Sequence, residues 1–294
     1  MKILFVGGTR FVGLAMAREA ISRGHEVEIF HRSEKIPVGT ESAKHLLGDR
    51  TKDFTSLQTG NWDVVVDVCG YRPHEINALY DVFVGRIKKY VFISTVSVYA
   101  DDIDPNLSES AKLTDVKILE DKDLLTVPID GETYGPLKVM CESEVRERYP
   151  NSLIIRPTYV IGPDDYTNRF HSWVRKFLAN EVIEVPKNLD TTLQYIDVRD
   201  LAVFTIDAVE NDLQGDYHVC ENGIKFRQAI DEIRSVTGST STLTEVASTD
   251  EDVFPMWAAQ DTGVLAMNAE KARAAGLKTR PLGETIKDIV AEIS

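Results

Sequence analysis

The stretch Tyr134-Gly135-Pro136-Leu137-Lys138 puts a phenol and an ammonium four residues apart. On a helix that spacing places both on one face. A free tyrosine ionises near pH ~10, and a neighbouring lysine cation favours the phenolate. Such a pair can take up or release a proton near neutrality. Upstream, Ser94-Thr95-Val96-Ser97-Val98-Tyr99 closes an apolar run. A hydroxyl at a strand end there could hydrogen-bond the same substrate oxygen as the phenol. Alone the tyrosine–lysine pair is a weak signal, since the spacing recurs by chance.

A second chemical stretch strengthens it. Gly7 to Gly13 reads GGTRFVG, after the apolar run Ile3-Leu4-Phe5-Val6 and before Leu14-Ala15-Met16-Ala17-Arg18. A glycine turn between strand and helix bends the chain sharply, lets backbone approach a pyrophosphate and packs helix on sheet. First-turn amides and the helix dipole then hold the phosphates. Gly7, Gly8, Thr9, Arg10, Phe11, Val12 and Gly13 are therefore the expected dinucleotide contacts, with Arg10 where the common fingerprint has glycine. The second strand ends Phe30-His31-Arg32-Ser33, with no acid to accept from a ribose 2′-hydroxyl. A guanidinium instead suits a phosphate. The expectation is that Arg10 and Arg32, with His31 beside them, hold the 2′-phosphate, so that NADP(H) is favoured over NAD(H). Asp49, in Gly48-Asp49-Arg50, is a candidate acceptor for the adenine amino group.

These groups need elements to carry them. Strands are expected over Lys2 to Val6, Glu26 to Phe30, Val64 to Val68, Tyr90 to Ser94 and Leu153 to Ile155. A helix is expected from Phe11 to Arg23, stopping at Gly24. Alternation of strand and helix implies βαβ units and a parallel sheet, and nearly continuous Val/Ile runs fit strands buried on both faces. Beyond Gly162-Pro163 the pattern gives helices over Phe170 to Asn180, Asp200 to Val209, Phe226 to Thr237 and Gly283 to Ile293, a short strand over Tyr195 to Val198, and strand plus loop over Ser239 to Asp252. The segment Ala100 to Gly131 is acidic and irregular and reads as a surface excursion. Glu142 to Arg148 reads as a solvated helix face with i,i+4 pairs.

Composition bounds the partners. The 294 residues carry a formal net charge of −14 and are 43% apolar. That charge argues against nonspecific nucleic-acid binding, which needs clustered cations. No apolar run approaches the ~20 residues of a membrane span. The apolar stretch after Met1-Lys2 is too short for a signal peptide. Cys69, Cys141 and Cys220 form no metal spacing and read as reduced thiols. The expected setting is cytoplasmic, with a small-molecule substrate and no metal.

Taken together, GGTRFVG, STVSVY, YGPLK, IRPTYVIGP, YIDVRDLA and KARAAGLKTRPL run over nearly the whole chain in a specific order. With them the chain resembles the extended short-chain dehydrogenase/reductases, the NAD(P)-dependent epimerase/dehydratase family. The resemblance implies an α/β, Rossmann-type doubly wound parallel sheet with a smaller C-terminal α/β substrate domain. The cofactor domain would span residues 1–165, with 190–220 returning to it, and the substrate domain residues 166–189 and 221–294. It implies Tyr134 as acid/base, Lys138 on the ribose hydroxyls, Thr95 orienting the substrate oxygen and Pro157 to Val160 bordering the nicotinamide. It is compatible with a homodimer through the helix bearing YxxxK. The reaction would be reversible hydride transfer at a secondary alcohol or carbonyl, of a sugar-like or nucleotide-sugar substrate. Dehydration is disfavoured, because Val96 and Ser97 stand where dehydratases often show acids.

The chain also departs from that family. Nucleotide-sugar members carry a diphosphate-binding arginine just before the segment matching Tyr195-Ile196-Asp197, where this chain has Thr192-Leu193-Gln194. A second such arginine, about a dozen residues before Lys271-Ala272, is replaced by the region of Trp257. Arg169, Arg175 or Arg199 could substitute. Arg169, His171, Trp173 and Tyr195 are the substrate-side candidates. The GGTRF turn with an HR strand end also looks like a branch close to the chloroplast stem-loop RNA-binding proteins. The alternative reading is therefore a non-catalytic nucleotide-binding scaffold.

Overall fold

Each apolar run at the start of the chain becomes a strand whose two faces both meet helices. The computed structural model describes residues 1–100, 106–179, 181–247, 254–258, 261 and 265–293. From the centre of the main sheet one half is built by β1 (Lys2–Val6), α1 (Phe11–Ser22), β2 (Glu26–His31) and β3 (Lys44–Leu47). The other half is built by β4 (Trp62–Asp67), α2 (Pro73–Phe83), β5 (Ile87–Ile93), α3 (Tyr134–Arg148) and β6 (Leu153–Pro157). The chain then leaves through β7 (Tyr159–Ile161), α4 (Arg169–Ala179), β8 (Val182–Pro186), β9 (Thr192–Leu193) and β10 (Tyr195–Asp197). It returns through α5 (Val198–Glu210) to β11 (Gly215–Val219), and finishes with β12 (Ile224–Lys225), α6 (Phe226–Thr237), β13 (Thr242–Val246), α7 (Glu270–Ala274) and α8 (Leu282–Ile293).

The main sheet has seven strands in the order β11-β6-β5-β4-β1-β2-β3, and every pair in it is parallel. It is a Rossmann-type doubly wound sheet. Alternation sorts its side chains. Ile3, Phe5, Val64, Val66 and Val91 pack under α1 and α5, with Met16, Ala17 and Phe204. Leu4, Val6, Val65, Tyr90 and Phe92 pack under α2 and α3, with Leu79, Phe83 and Val145. A third apolar cluster joins α4, α6 and α8 around Trp173, Phe226 and Ile286. Strand succession reverses at β1, which lies between β4 and β2. In open α/β sheets the crevice beyond the carboxyl ends at such a reversal is where ligands bind.

Helix α1 ends as its sequence signals. Gly24 adopts φ +77°, and His25 N–H reaches back to Ala20 O at 3.1 Å, the 6→1 bond of a Schellman turn. Some expectations need correcting. The run after Lys138 is not wholly a solvated face, because Glu142 and Val145 are fully buried, although Arg146–Glu142 and Arg148–Glu144 do form i,i+4 pairs. The excursion before α3 is tied down by the Tyr99–Leu113 and Leu107–Met267 bridges and buries Leu107, Leu119 and Val127; residues 101–105 of it lie outside the described part. The expected strand after Ser239 is β13, parallel to β8, while residues 248–252 lie outside the described part.

Candidate active site

The glycine turn sits at the crest of β1. Gly7 and Gly8 have φ +96° and +90°, a region where a side chain costs conformational energy. Gly13 answers a different demand. A Cβ there would lie 2.7 Å from both N and Cα of Gly8, so α1 packs directly on the turn that leads into it. Gly13→Ala should therefore force the helix off the turn. The expected loss is about 1–3 kcal/mol, with weakened dinucleotide binding, read by thermal unfolding and cofactor titration. The N-cap of α1 is Arg10, whose side chain makes no cap bond, so the first-turn amides keep the orphan donors of an open helix end. Phe11 opens the helix at φ +37°, a strained conformation of the kind that persists where structure over-determines it. Thr9 completes this loop, and Val12 lies in the first turn of α1.

The two arginines singled out by the sequence are both exposed. The Arg10 guanidinium lies 5.5 Å from the centre of the Tyr166 ring. Among the described residues neither Arg10 nor Arg32 has a carboxylate ion-pair partner, in a chain with a net charge of −14. Asp49 accepts from Thr51 N and Oγ1 at 2.9 and 2.7 Å. Those bonds, and Arg32 nearby, hold its carboxyl low. His31 is placed otherwise than expected. Strand alternation carries it inward with Val27 and Ile29, and its Nε2 lies 2.8 Å from His45 Nδ1. His45 Nε2 faces the carbonyl of Thr40 at 3.0 Å. Burial and the second imidazole lower the His31 pKa. It is a packing residue of the β2–β3 pair rather than part of a phosphate clamp.

Three ties lock α3 to the end of β5. A Cβ on Gly135 would come 2.1 Å from Ser97 O, so only glycine lets the helix start rest on this backbone. Lys138 is buried and its Nζ donates to Ile93 O at 2.8 Å. Ser94 Oγ donates to Glu142 Oε1 at 2.6 Å. Tyr134, the first residue of α3, is thereby brought to the same crest as Thr95, whose Oγ1 accepts from Ser97 N at 3.2 Å and caps the turn that follows β5. Pro157 ends β6 alongside, opposite Val219.

Beneath this crest lie buried ionic groups that the sequence reading did not find. Arg156 Nε and Nη2 grip the two Glu142 oxygens at 2.9 and 2.6 Å. Arg156 Nη1 donates to Tyr99 Oη, which lies 2.5 Å from His218 Nε2. Burial alone would raise the Glu142 pKa, but the bonds and charge of Arg156 outweigh it and lower the value. Below β4, Arg50 holds Asp67 through Nη1 and Nη2 at 2.6 and 2.9 Å, and Tyr90 Oη donates to the same carboxylate. An Arg–Glu pair i and i+14 apart has no periodic signature, so only the packed structure could reveal it.

The substrate-side candidates are divided. Arg169 is exposed at the start of α4. His171, Trp173 and Tyr195 are interior. Trp173 stacks on Phe254 and donates through Nε1 to Pro255 O, Tyr195 packs in the same cluster, and His171 Nε2 lies 3.4 Å from Glu292. Trp173 and Tyr195 face the apolar cluster of α4, α6 and α8, and His171 is buried on α4 against Glu292 of α8. Gln194, in place of a diphosphate arginine, donates to Glu221 O and Met267 O and accepts from Met267 N. Trp257 Nε1 donates to Asn188 O at 2.6 Å. Arg199 is engaged with Asp197 and Asp288, and Arg175 with Asn168.

The model of the NAD dependent epimerase/dehydratase family matches residues 76–220, the part of the chain that carries Thr95, Tyr134 and Lys138. The matched span is just under half of the chain, and over it the chain is similar to that family. Among curated proteins, the 41 kDa chloroplast stem-loop binding protein b of Arabidopsis thaliana is 29% identical over 231 residues, covering 72% of this chain and 56% of the relative. This chain thus spans little more than half the length of that relative. Among solved structures, a putative epimerase from Burkholderia cenocepacia J2315 superposes with TM-score 0.79 at 18% identity, covering 100% of this chain and 98% of that one. A UDP-glucose 4-epimerase gives TM-score 0.78 at 17% identity, over 99% and 97%. UDP-glucuronic acid 4-epimerase from Bacillus cereus, in complex with NAD, gives 0.75 at 16%, over 100% and 96%. At these identities the structures show that the fold is shared end to end. Among the described residues no helix is long and apolar enough to cross a membrane.

Proposed function

We propose that this chain is a member of the epimerase/dehydratase family and an NAD(P)-dependent oxidoreductase or epimerase, acting by reversible hydride transfer at a secondary alcohol or carbonyl of a small, sugar-like substrate. The observation that supports the reading is the triple lock that ties α3, the helix of Tyr134 and Lys138, to the end of β5, the strand that Thr95 follows. A dinucleotide fits the residues present: the glycine turn admits close backbone approach, and the α1 amides are not capped by a side chain. When bound, the nicotinamide supplies the hydride acceptor or donor. Tyr134 moves the proton at the substrate oxygen, Thr95 hydrogen-bonds that oxygen, and Lys138 holds the ribose side.

We read the cofactor as NADP(H), because Arg10 and Arg32 are exposed cations without a carboxylate partner among the described residues at the place expected for a 2′-phosphate. Calorimetric titration should give NADPH the tighter binding. Arg32→Ala should lose about tenfold or more of that margin, since a charge-assisted hydrogen bond contributes about 1.5–3 kcal/mol. NADH binding as well as NADPH would return preference to NAD, the cofactor named with the Bacillus cereus enzyme. The absence of arginine at Gln194 and Trp257 favours a substrate without a diphosphate. The expected cytoplasmic location belongs to this proposal; the curated relative is named as chloroplastic.

The same relative favours a second reading, a nucleotide-binding scaffold that recognises stem-loop RNA. The net charge of −14 stands against it. Gel-shift assays with stem-loop RNA at low salt should show no complex; a specific complex together with failure to bind either dinucleotide would put the scaffold first.

A further inference from the structure

Lys138 is a buried cation, 2% exposed, that has no carboxylate partner among the described residues. In a chain so rich in acids this calls for a reason, because an uncompensated buried charge is costly. Its Nζ donates to one carbonyl, Ile93 O. It also lies 4.5 Å from the Phe92 ring centre and 5.2 Å from that of Tyr71. An ammonium within ~6 Å of a ring face is attracted by the ring quadrupole.

Phe92 belongs to β5 and faces inward as its strand position requires. Tyr71 does not belong to the core. It follows β4 at the sheet reversal, and its placement is built. Gly70 has no room for a side chain: a Cβ would lie 2.8 Å from Phe92 Cε2 and 2.9 Å from Ile76 Cδ1. Tyr71 N donates to Glu75 Oε2 at 2.9 Å. Arg72 next to it donates to Leu124 O and Val127 O, both at 2.7 Å. The backbone of Tyr71 is thus held from both sides, and its ring stands 6.3 Å from that of Tyr134, tilted 43°.

We propose that Tyr71 is a positioning residue of this site, whose ring face, together with Phe92, seats the Lys138 ammonium so that its remaining protons are presented to the cofactor ribose. This rests on the reading of Lys138 as the residue that holds those hydroxyls. A carboxylate in place of the ring would have taken the ammonium protons for itself. A ring face offsets the charge and leaves protons for hydroxyl oxygens. Burial and the neighbouring Tyr134 phenol push the Tyr71 pKa up.

The test is calorimetric titration of the full chain with NADPH, for wild type, Tyr71→Leu, Tyr71→Phe, Lys138→Met and the Tyr71→Leu/Lys138→Met pair, with melting temperatures recorded without ligand. Tyr71→Leu should weaken binding roughly fivefold to thirtyfold, the worth of a desolvated cation–π contact. Tyr71→Phe keeps the ring and should restore wild-type binding. In the Lys138→Met background Tyr71→Leu should add nothing, because the two act through one contact. Unchanged affinity in Tyr71→Leu, or an equal loss in both backgrounds, would overturn the assignment while leaving the cofactor reading intact. Failure of the wild type to bind NADPH or NADH would remove the cofactor reading, and this assignment with it.

Discussion

Replacing Arg156 with methionine is expected to cost about 3–5 kcal/mol of stability and to lower the melting temperature by roughly 10 °C. The guanidinium is 1% exposed and its partner Glu142 carboxylate 0%, so the variant would leave a buried carboxylate with much of its compensation gone. Arg146 still reaches it at 2.9 Å, but Arg146 is 40% exposed and solvent screens it. Arg146→Met should accordingly cost less than about 1 kcal/mol. The pH dependence gives a second readout. In the wild type the Glu142 pKa is lowered on folding. Its contribution is therefore present above the unfolded carboxylate value and is lost as pH falls through the folded value. Without Arg156 burial dominates and raises the folded pKa, so protonation in mild acid relieves the variant. The deficit between the two proteins should shrink from neutral pH toward pH ~5. Urea unfolding at both pH values decides it, and a small or pH-independent deficit would mean the pair is not the anchor described.

Tyr134→Phe should reduce turnover by about two to four orders of magnitude and leave dinucleotide affinity within about twofold of the wild type. The hydroxyl is the only atom removed. The helix start is fixed by Gly135 against Ser97 O and by Lys138 against Ile93 O, neither of which involves the phenol. Lys138→Met should behave differently, losing affinity as well as rate. The measurement is cofactor oxidation, or product analysis by chromatography, across a panel of sugar ketones and UDP-sugars, beside titration of the same samples. Full turnover in Tyr134→Phe would contradict the assigned proton transfer.

How much of this could be read from the chain depends on how local each feature is. The β1 run, the glycine turn and α1 are contiguous, and their apolar spacing and Gly24 stop carry the whole unit. Tyr134 and Lys138 share one helical turn. Thr95 closes its own strand. Other features join residues far apart, and periodicity is blind to them. Glu142 sits in a charged run that looks solvated, yet Ser94 and Arg156 draw it inside. His31 looks like an exposed strand end, yet His45 across the β2–β3 pair takes its ring. His171 and Trp173 look like a wall because they start a helix after a loop, but α4 buries both, Trp173 in the apolar cluster and His171 beside Glu292. Tyr71 gave no signal at all, since its meaning lies in the ring face it offers Lys138.

The strand β11 also has a consequence for the emerging polypeptide. β6 is flanked by β5 on one side and by β11 on the other, and only residues 215–219 cover that outer side. During synthesis β1 to β6 can pair before β11 has been made. Until then β6 presents an open row of amides and carbonyls, the kind of edge that recruits neighbouring chains. Its sequence, Leu153-Ile154-Ile155-Arg156-Pro157, is apolar for three residues and then carries a charge and a proline, two of the devices that discourage such pairing. The arginine that braces the finished site thus stands, with Pro157, on the strand that forms the sheet's edge until its last partner is translated.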